Sequence, residues 1–339
     1  MKSLNTTGLL YGCNGEIENT IPKWESITLT CVILLIVVTA LFGNSLVCVA
    51  VYKFTKLRTV TNALLCSLAV TDLLTPIVRL LSMAVVTIKG KWVFGCEWCQ
   101  ISSNLGVFLC SSSIIHLCVV SVERYLIIKH PLSYNRWASK RNFFLLVIFI
   151  WSLSIIMSIL PYLNVVKLTF ETELLDCTIY MLHSPTMALL LALMYFASPF
   201  LIMILVYYRI YDAVQKQIKS IASSSLGNKV EKKKQKIKKE WKAVKTVIVV
   251  IGLFFILWLP YFCVNAIHAF YPSVIVGWVK RLVFYLAYSN SCVNWIVYSV
   301  LNKPLRYSFK KLLRLTPKVP QRGLSVSSVD QDVKQVKKC

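Results

Sequence analysis

Six polar side chains lie inside long apolar runs of this sequence, where an unpaired polar group is costly. One carboxylate among neutral oxygen ligands suits a small cation such as sodium, or a carboxyl group that burial keeps protonated. The alternative is that these side chains only join helices by hydrogen bonds. We favour an internal ion or water site and expect no other cofactor. The residues are Asn44, Asp72, Ser113, Asn290, Ser291 and Asn294.

A single arginine, Arg79, follows in the second apolar run. On a helix, Asp72, Pro76 and Arg79 fall at positions i, i+4 and i+7, which is one face. If Asp72 faces the interior, Arg79 points into an outer cavity, where its guanidinium would bind a carboxylate or phosphate through two parallel hydrogen bonds. The alternatives are that tyrosines, backbone carbonyls or an internal acid neutralise Arg79, or that its side chain extends outward.

The histidines and cysteines argue against a metal centre and against catalysis. Of the 4 histidines only His116 lies deep within an apolar run, with no second histidine or acid at metal-ligand spacing. Cys96 and Cys99 form a lone CxxC pair, which predicts disulfide chemistry on an extracellular surface. Cys13 and Cys96 either pair with each other or stay free. We therefore expect neither a metal site nor an enzyme.

The composition is that of a membrane protein. The 339 residues are 57% hydrophobic and only 15% charged, with a mean hydropathy of +0.65. The net charge of +24 lies in short segments between apolar runs and in the tail. This distribution indicates a cytoplasmic bias of Lys and Arg and argues against a nucleic-acid partner.

Apolar stretches long enough to cross a bilayer define the elements that position these residues. Each must be helical, because lipid offers the backbone no other hydrogen-bond partners. The third, from Cys99 to Tyr125, would be about 40 Å long, and its small polar residues favour a central position. Lys280 and Arg281 are expected to extend to the membrane interface. We predict an all-α membrane protein, a seven-transmembrane helix bundle, with spans at 27–52, 60–87, 99–127, 143–163, 185–210, 244–268 and 275–300.

The charges of the connections set the orientation. Lys and Arg concentrate in the first, third and fifth connections, which places the N-terminus outside the cell and the C-terminus in the cytoplasm. Asn5, in an Asn-Thr-Thr triplet, is then a glycosylation site. Residues 302–315 are basic on one face and apolar on the other, which predicts an amphipathic eighth helix on the inner leaflet. We expect an extracellular segment 1–26, a helix bundle 27–301, this surface helix and a disordered tail 316–339.

A set of short motifs resembles one family in order and spacing. They are G-N-S-L-V at Asn44, L-A-V-T-D-L-L at Asp72, W-V-F-G before Cys99, E-R-Y at Arg124, Trp151, Pro199, F-F-I-L-W-L-P ending at Pro260 and N-W-I-V-Y ending at Tyr298. Over roughly residues 27–313 the chain is identified as a member of the rhodopsin-like (class A) G-protein-coupled receptors. The resemblance implies a plasma-membrane receptor for an extracellular ligand. Its partners would be heterotrimeric G proteins, arrestin and receptor kinases.

The resemblance assigns roles to individual residues. Cys99 would form a disulfide with Cys177 and hold the second extracellular loop over the pocket. Arg124 would be held by Glu123 and Glu240 and then released to meet the G protein, a two-state element that a ligand can bias. Tyr125 would act with Arg124 as part of the same motif. Tyr207 and Tyr298 would swing inward on activation. A core would repack at the same time, formed by Trp258, Phe254, Ile114, Pro199 and Pro260.

One position departs from the family's pattern. Trp295 stands where the family usually has proline, so we expect a less kinked seventh helix. No internal repeat of the transporter type is evident, which argues against a transporter.

The resemblance also bears on the ligand. Gly106 stands where amine receptors carry an aspartate, which argues against a monoamine, and Tyr288 stands where opsins carry the retinal lysine. The D-C-T-I-Y loop and Y-L-A-Y-S-N-S-C-V-N-W-I-V-Y-S-V-L-N are most similar to melatonin receptors and related orphan receptors. The alternatives are a peptide- or small-anion-responsive receptor of the same class, or a non-signalling seven-helix transporter or scaffold. Candidate pocket residues are Arg79, Gly106, Tyr195, Tyr285 and Tyr288.

Overall fold

Long helices make up most of the chain in the computed structural model, which describes residues 21–159, 167–171, 173–180, 185–222, 228–271 and 273–315. Asn5, Cys13 and the tail 316–339 lie outside the described residues, and so does the side chain of Glu240. The predictions made for them stay predictions.

The predicted seven-helix bundle is confirmed. Six helices in the described part of the chain are long and apolar enough to cross a membrane. The seventh span consists of two 12-residue helices that meet at Ser289. The spans are, in order, Lys23–Lys53; Val60–Lys89; Gly95–Lys129; Lys140–Ile159; Pro185–Ala192 with Leu193–Ala197 and Ser198–Ala222; Asn228–Phe270; and Gly277–Tyr288 with Asn290–Leu301.

Local signals set where several helices begin and end. The Thr59 side chain accepts a hydrogen bond from the Asn62 N–H at 3.3 Å and caps the second span. Gly90 ends that span in a left-handed conformation, with φ of 69°. Pro131 begins a short helix, Pro131–Trp137, in the connection between the third and fourth spans, where its missing N–H costs nothing. The fifth helix continues beyond its apolar span to Ala222, and the sixth helix begins at Asn228, before the apolar span Val244–Phe270.

The third span is the centre of the bundle, as the sequence predicted. It packs against the second, fourth, fifth and sixth spans. Its small side chains allow close approach of these neighbours, and Ser111, Ser112 and Ser121 are completely buried. The Ser111 and Ser121 hydroxyls donate to backbone carbonyls one turn back, at 2.8 and 2.7 Å, which satisfies these two buried groups.

Two spans contain a single wider, π-helical turn. In the second span it covers Pro76–Leu80, and in the fifth span it covers Leu193–Ala197. Such a turn inserts one extra residue and rotates the side chains that follow it, and these turns occur often at functional sites. Arg79 lies in the first of them and Tyr195 in the second.

A two-stranded hairpin covers one end of the bundle. The charge distribution predicts this end to be extracellular, so it is called the extracellular end and the opposite one the cytoplasmic end. Strands Lys167–Glu171 and Asp176–Tyr180 pair antiparallel, with Phe170 opposite Cys177. The structure contains the expected disulfide from Cys177 to Cys99 at the start of the third span, with an S–S distance of 2.02 Å. The hairpin is thereby fixed to the central helix.

The amphipathic eighth helix spans Lys303–Leu312. Its first turn is capped by Asn302, whose side-chain oxygen accepts the Leu305 N–H at 3.2 Å. Leu305 and Phe309 are buried against the bundle, while Lys310 and Lys311 are exposed. This is the arrangement expected of a helix lying on a membrane surface.

Candidate functional site

An outer cavity opens between the spans beneath the hairpin, with about 680 Å³ of empty space. Aromatic side chains form one wall, and small side chains of the third span form the opposite wall. Arg79 is the one charged side chain among the described residues that line it, and no lining residue is acidic. The lining includes Arg79, Ser103, Gly106, Val107, Cys110, Thr178, Leu191, Tyr195, Trp258, Tyr261, Phe262, Phe284 and Tyr288.

The Arg79 guanidinium is held by three groups. Its Nη2 forms an ion pair with the Asp176 carboxylate, and the two side chains are 3% (Arg79) and 1% (Asp176) exposed. The same nitrogen donates to the Cys177 carbonyl at 2.9 Å, and Nε donates to the Tyr288 hydroxyl at 3.0 Å. The buried Nη1 has no hydrogen-bond partner among the described residues. Of the alternatives left open by the sequence, neutralisation by an internal acid and a tyrosine is therefore the one observed.

Gly106 makes room for this arginine. A Cβ atom placed on Gly106 would lie 3.0 Å from Arg79 Nε and 3.1 Å from its Cδ. These distances are tighter than ordinary van der Waals contact, so any larger residue at this position would press on the guanidinium. The glycine and the arginine therefore form one unit.

Four of the five predicted pocket residues line this cavity: Arg79, Gly106, Tyr195 and Tyr288. Tyr195 also donates to the Met157 carbonyl at 2.6 Å, which joins the fifth span to the fourth. Tyr285 was placed wrongly. It packs with Ile33 and Met83 in a cluster between the first, second and seventh spans and lies outside the cavity wall.

Asp176 is the functional candidate that the sequence did not reveal. Its Oδ1 accepts the Cys177 N–H at 2.8 Å while Oδ2 meets Arg79. Burial raises the pKa of Asp176 to about 6, against the opposing effect of Arg79. Its position directly before the disulfide cysteine was the one available signal, because that cysteine fixes the residue above the cavity.

Two more ion pairs close the extracellular end. Arg281 pairs with Glu25 at 2.6 Å, and the buried Lys280 pairs with Glu173 and lies 3.6 Å from Glu171. Lys280 and Arg281 therefore pair with acids instead of extending to the interface as predicted. Burial raises the pKa of Glu171, with Lys280 opposing this shift.

Glu171, Glu173 and His268 bring three ligand atoms within 4.8 Å of one another. This is the one such group found in the described part of the chain. The Lys280 ammonium lies within it, 2.7 Å from His268 Nε2, where a bound metal ion would have to be. The group is therefore better described as an ion-pair cluster than as a metal site.

A second, inner cavity of about 380 Å³ lies below the first. Four predicted polar residues line it, Asp72, Ser113, Asn290 and Ser291, and Asn294 Nδ2 donates to Asp72 Oδ2 at 2.7 Å. Asn44 instead donates to the backbone carbonyls of Ala40 and Ser291, at 3.0 and 2.8 Å. Asn44 and Asn294 are thus linked by hydrogen bonds to residues of this lining.

The inner cavity has the ligand atoms that sodium requires. Four buried side-chain oxygens have no hydrogen-bond partner among the described residues: those of Asn44, Ser113, Asn290 and Asn294. Ser113 and Asn290 line the cavity together with the Asp72 carboxylate, so hard oxygen donors and one negative charge face the same space. The residues present therefore fit a small monovalent cation or ordered water.

Trp258 separates the two cavities and lines both. Its ring stacks on Phe254 with centroids 5.9 Å apart, and Phe254 and Ile114 belong to the buried core beneath it. Pro199 lies in the fifth span, where its carbonyl faces Cys118, and Pro260 lies inside the sixth helix. Trp258, Phe254 and Ile114 thus lie together in the core below the outer cavity.

The charged motif lies at the cytoplasmic end of the third span. Glu123 accepts hydrogen bonds from Thr61 at 2.8 Å and from the Tyr134 hydroxyl at 2.5 Å. Arg124 donates to Thr61, and its Nη2 lies 3.7 Å from Glu123. Burial and the Glu123 carboxylate raise the pKa of Tyr134, which keeps its hydroxyl a donor. Thr61 and Tyr134 are partners that the sequence did not indicate.

The tyrosines assigned to activation occupy different surroundings. The Tyr207 hydroxyl lies 3.3 Å from the Ser121 hydroxyl oxygen, within hydrogen-bond distance. Tyr298 is buried, and its hydroxyl has no hydrogen-bond partner within the described ranges. Tyr125 faces the lower part of the fifth and sixth spans, beside Ile128 and Val244.

Trp295 packs against the first span. A Cβ atom on Gly43 would lie 2.0 Å from the Trp295 ring, so the indole occupies the space that a side chain at that position would need. The helix Asn290–Leu301 runs without a break through Trp295, and the interruption of the seventh span lies earlier, at Ser289. The expectation of a less kinked seventh helix stays a prediction.

The chain thus forms a bundle of seven membrane-spanning helices, with a cavity at the hairpin end and a charged motif at the opposite end. The family model "7 transmembrane receptor (rhodopsin family)" matches residues 43–298. The chain therefore belongs to the rhodopsin family of seven-transmembrane receptors. It is a multi-pass membrane receptor and not an enzyme.

Individual relatives agree with this assignment. The chain is 34% identical to dopamine receptor 1 of Drosophila melanogaster, over 80% of its own length and 60% of that protein's. It is 31% identical to the alpha-1A adrenergic receptor of Oryzias latipes, over 93% and 73%. The fold matches squid rhodopsin with a TM-score of 0.82, covering 99% and 97% of the two chains at 22% identity. The expected similarity to melatonin receptors is not shown by these relatives.

Proposed function

We propose that this receptor binds an extracellular ligand in the outer cavity and activates heterotrimeric G proteins through its cytoplasmic end. The observation that carries the proposal is the position of Trp258 in the walls of both cavities. A ligand in the outer cavity would contact Trp258 directly, and movement of its indole would repack Phe254 and the polar groups around Asp72. The plasma membrane, with the N-terminus outside, is the location this function requires.

The inner polar site would stabilise one of the two states. A sodium ion held by Asp72 and its neighbouring oxygens supplies a positive charge that balances the buried carboxylate. Repacking of Trp258 and Phe254 would change the shape of this site. A ligand and an ion that prefer different shapes would oppose each other, as linkage requires.

Release of Arg124 would expose the surface to which the G protein binds. In the structure Arg124 is held by Thr61 and by its neighbour Glu123. The basic cytoplasmic connections would attract the G protein and anionic lipid. Arrestin and receptor kinases would act on the same face and on the tail.

The names of the relatives suggest an amine as the ligand, because they are called dopamine and adrenergic receptors. The described wall of the outer cavity offers an amine no carboxylate, and Gly106 faces Arg79 there. We therefore do not propose an amine. Melatonin, which the sequence suggested, is uncharged and belongs in the panel of test compounds.

The test is G-protein dissociation in cells, with wild type beside Arg124→Ala. Melatonin, small carboxylates, amines and peptides are applied, and surface expression is measured in parallel. We expect at least one class to raise dissociation in wild type and none to do so in the variant, with Trp258→Ala responding weakly. Wild type that reaches the surface and changes no G protein, basal or stimulated, would contradict the proposal.

A further inference from the structure

We infer that the outer cavity takes an uncharged aromatic ligand that presents a hydrogen-bond acceptor to Arg79. The inference rests on the proposed function and deepens it by naming the class of ligand. It follows from the charge balance of the cavity, from the unused donor of Arg79 and from the shape of the walls.

The charge of the site is already balanced. Arg79 is the one charged group in the described lining, and Asp176 pairs with it directly. Both side chains are almost fully buried, so water screens neither of them. A ligand that carries a net charge would bring a third charge into this site without a partner, and an unpaired charge in such surroundings is strongly disfavoured.

A cationic ligand has no free carboxylate to meet. The two oxygens of Asp176 are used by Arg79 and by the Cys177 N–H. Gly106 contributes no side chain, and the space in front of it is filled by the guanidinium. An ammonium group would have to displace Arg79 while standing beside its positive charge.

An anionic ligand faces the opposite difficulty. Its carboxylate would approach a guanidinium that Asp176 already neutralises. The two carboxylates would then share one arginine in a buried site, and like charges at such a distance disfavour each other.

An uncharged acceptor meets neither difficulty. The guanidinium has five N–H donors in a fixed plane. Nε donates to the Tyr288 hydroxyl, and Nη2 donates to the Asp176 carboxylate and the Cys177 carbonyl. Nη1 is left without a hydrogen-bond partner in the described structure. A buried donor without an acceptor is unfavourable. A carbonyl, ether or phenol oxygen on the ligand would satisfy Nη1 without adding charge.

The walls select a flat ring. Tyr261 packs against Trp258 and Phe284 with centroids 5.8 and 5.6 Å away, and Phe284 meets Tyr288 at 4.9 Å. These rings form a continuous aromatic wall on the sixth and seventh spans. The third span presents the small side chains of Ser103 and Cys110 to the cavity opposite this wall. A ring inserted between them would make offset or edge contacts with several aromatic side chains.

Three indoles that differ in charge test the inference directly. N-acetyltryptamine is uncharged, tryptamine is a cation and indole-3-acetate is an anion at pH 7.5. Each is added to purified full-length receptor, and its dissociation constant is obtained from the concentration dependence of the thermal unfolding midpoint. We expect the uncharged compound to bind at least about tenfold more tightly than either ion. Any other order, including no shift with the uncharged compound, overturns the inference.

Variants of the pair sharpen the test. In Arg79→Gln the Asp176 carboxylate loses its partner, so tryptamine should gain affinity and become the best of the three. In Asp176→Asn the guanidinium loses its partner, so indole-3-acetate should gain instead. The double variant R79Q/D176N is the matched control, since it is again neutral and neither ion should gain. If the single variants prefer the same indole as wild type, the charge balance between Arg79 and Asp176 is contradicted. If one variant does not fold, the ranking of the three indoles on wild type still tests the inference.

Failure of this inference is distinguishable from failure of the proposed function. The same compounds are applied in the G-protein dissociation assay. Binding of N-acetyltryptamine without any G-protein response would support the inference and contradict signalling. A response to tryptamine or indole-3-acetate alone would support signalling and overturn the inference.

Discussion

The two ends of the bundle each hold a buried arginine, and they hold it differently. At the cytoplasmic end Arg124 lies beside Glu123 in the same helix, and its side chain is 11% exposed. At the extracellular end Arg79 is 3% exposed and pairs with Asp176, which is 97 residues away in the chain. The first pair is local and partly open to solvent, whereas the second is assembled by the fold.

In the proposed function, this difference separates the part that transmits a signal from the part that selects a ligand. The inner arginine is held by Thr61 and by its neighbour Glu123, so its release would break contacts with these two side chains. The outer arginine is fixed by a carboxylate, a carbonyl and a tyrosine, and it shapes the cavity. One type of residue would thus act as a switch at one end and as a fixed wall at the other.

The largest expected effect comes from removing the two arginines in turn. Arg79→Gln should lower the free energy of unfolding by about 3–5 kcal/mol at pH 7.5, because it leaves a buried carboxylate unpaired. Arg124→Gln should lower it by about 1 kcal/mol, because Glu123 keeps Thr61 and Tyr134 as donors. Thermal unfolding of both purified variants measures the difference. Equal losses would show that the two ends are held alike.

Glu123→Gln should weaken the hold on the inner arginine without removing its neighbours. The amide keeps a hydrogen bond to Thr61 but loses the charge that attracts Arg124. A loss of about 1.4 kcal/mol would raise basal G-protein activation roughly tenfold. Basal dissociation, normalised to surface expression, measures this. Asp176→Asn is the control at the other end and should leave basal activation unchanged; a rise in both would remove the distinction between switch and wall.

Acidification should act on the outer pair. The pKa of Asp176 is raised to about 6 from 3.8, so the folded state holds this proton more tightly than the unfolded state does. Its contribution to stability is therefore present at low pH and lost as the pH rises through about 6. Lowering the pH from 7.5 to 5.5 should increase the free energy of unfolding by about 1 kcal/mol. The pKa of Glu171 is also raised, so it contributes to the same pH dependence. The contribution of Asp176 is the change in unfolding free energy of wild type minus that of Asp176→Asn. If the two proteins change equally with pH, the raised pKa of Asp176 is contradicted.

The smallest effect concerns the hydroxyl that supports Glu123 from the short cytoplasmic helix. Tyr134→Phe removes one hydrogen bond to that carboxylate and keeps the ring. We expect a loss of about 0.5–1 kcal/mol and a rise in basal activation of about two- to fivefold. The rise should be smaller than that of Glu123→Gln. A larger effect would make Tyr134 the main support of the cytoplasmic pair.

The sequence was informative where a feature is local. The apolar stretches identify the spans because length and hydropathy are properties of one segment. Glu123 and Arg124 are adjacent, so their pairing could be expected from the chain. Cys99 and Cys177 were paired through the resemblance to a family.

The rest depended on the three-dimensional arrangement. No periodicity connects Arg79 in the second span with Asp176 in the hairpin, so the acid that neutralises the arginine was not identified. The π-helical turn at Pro76–Leu80 alters the helical rotation in the segment where Arg79 lies. Tyr285 precedes Tyr288 by three residues, which turns the two side chains about 60° apart on a helix. That rotation directs Tyr285 towards the first and second spans and Tyr288 towards the cavity.

The contact between Gly43 and Trp295 has a consequence for how this receptor can have changed over time. The indole fills the volume above the glycine, so a side chain acquired at position 43 would collide with it, and a smaller residue at position 295 would leave a void. Neither substitution is tolerated well by itself. A side chain at position 43 therefore requires a smaller residue at position 295.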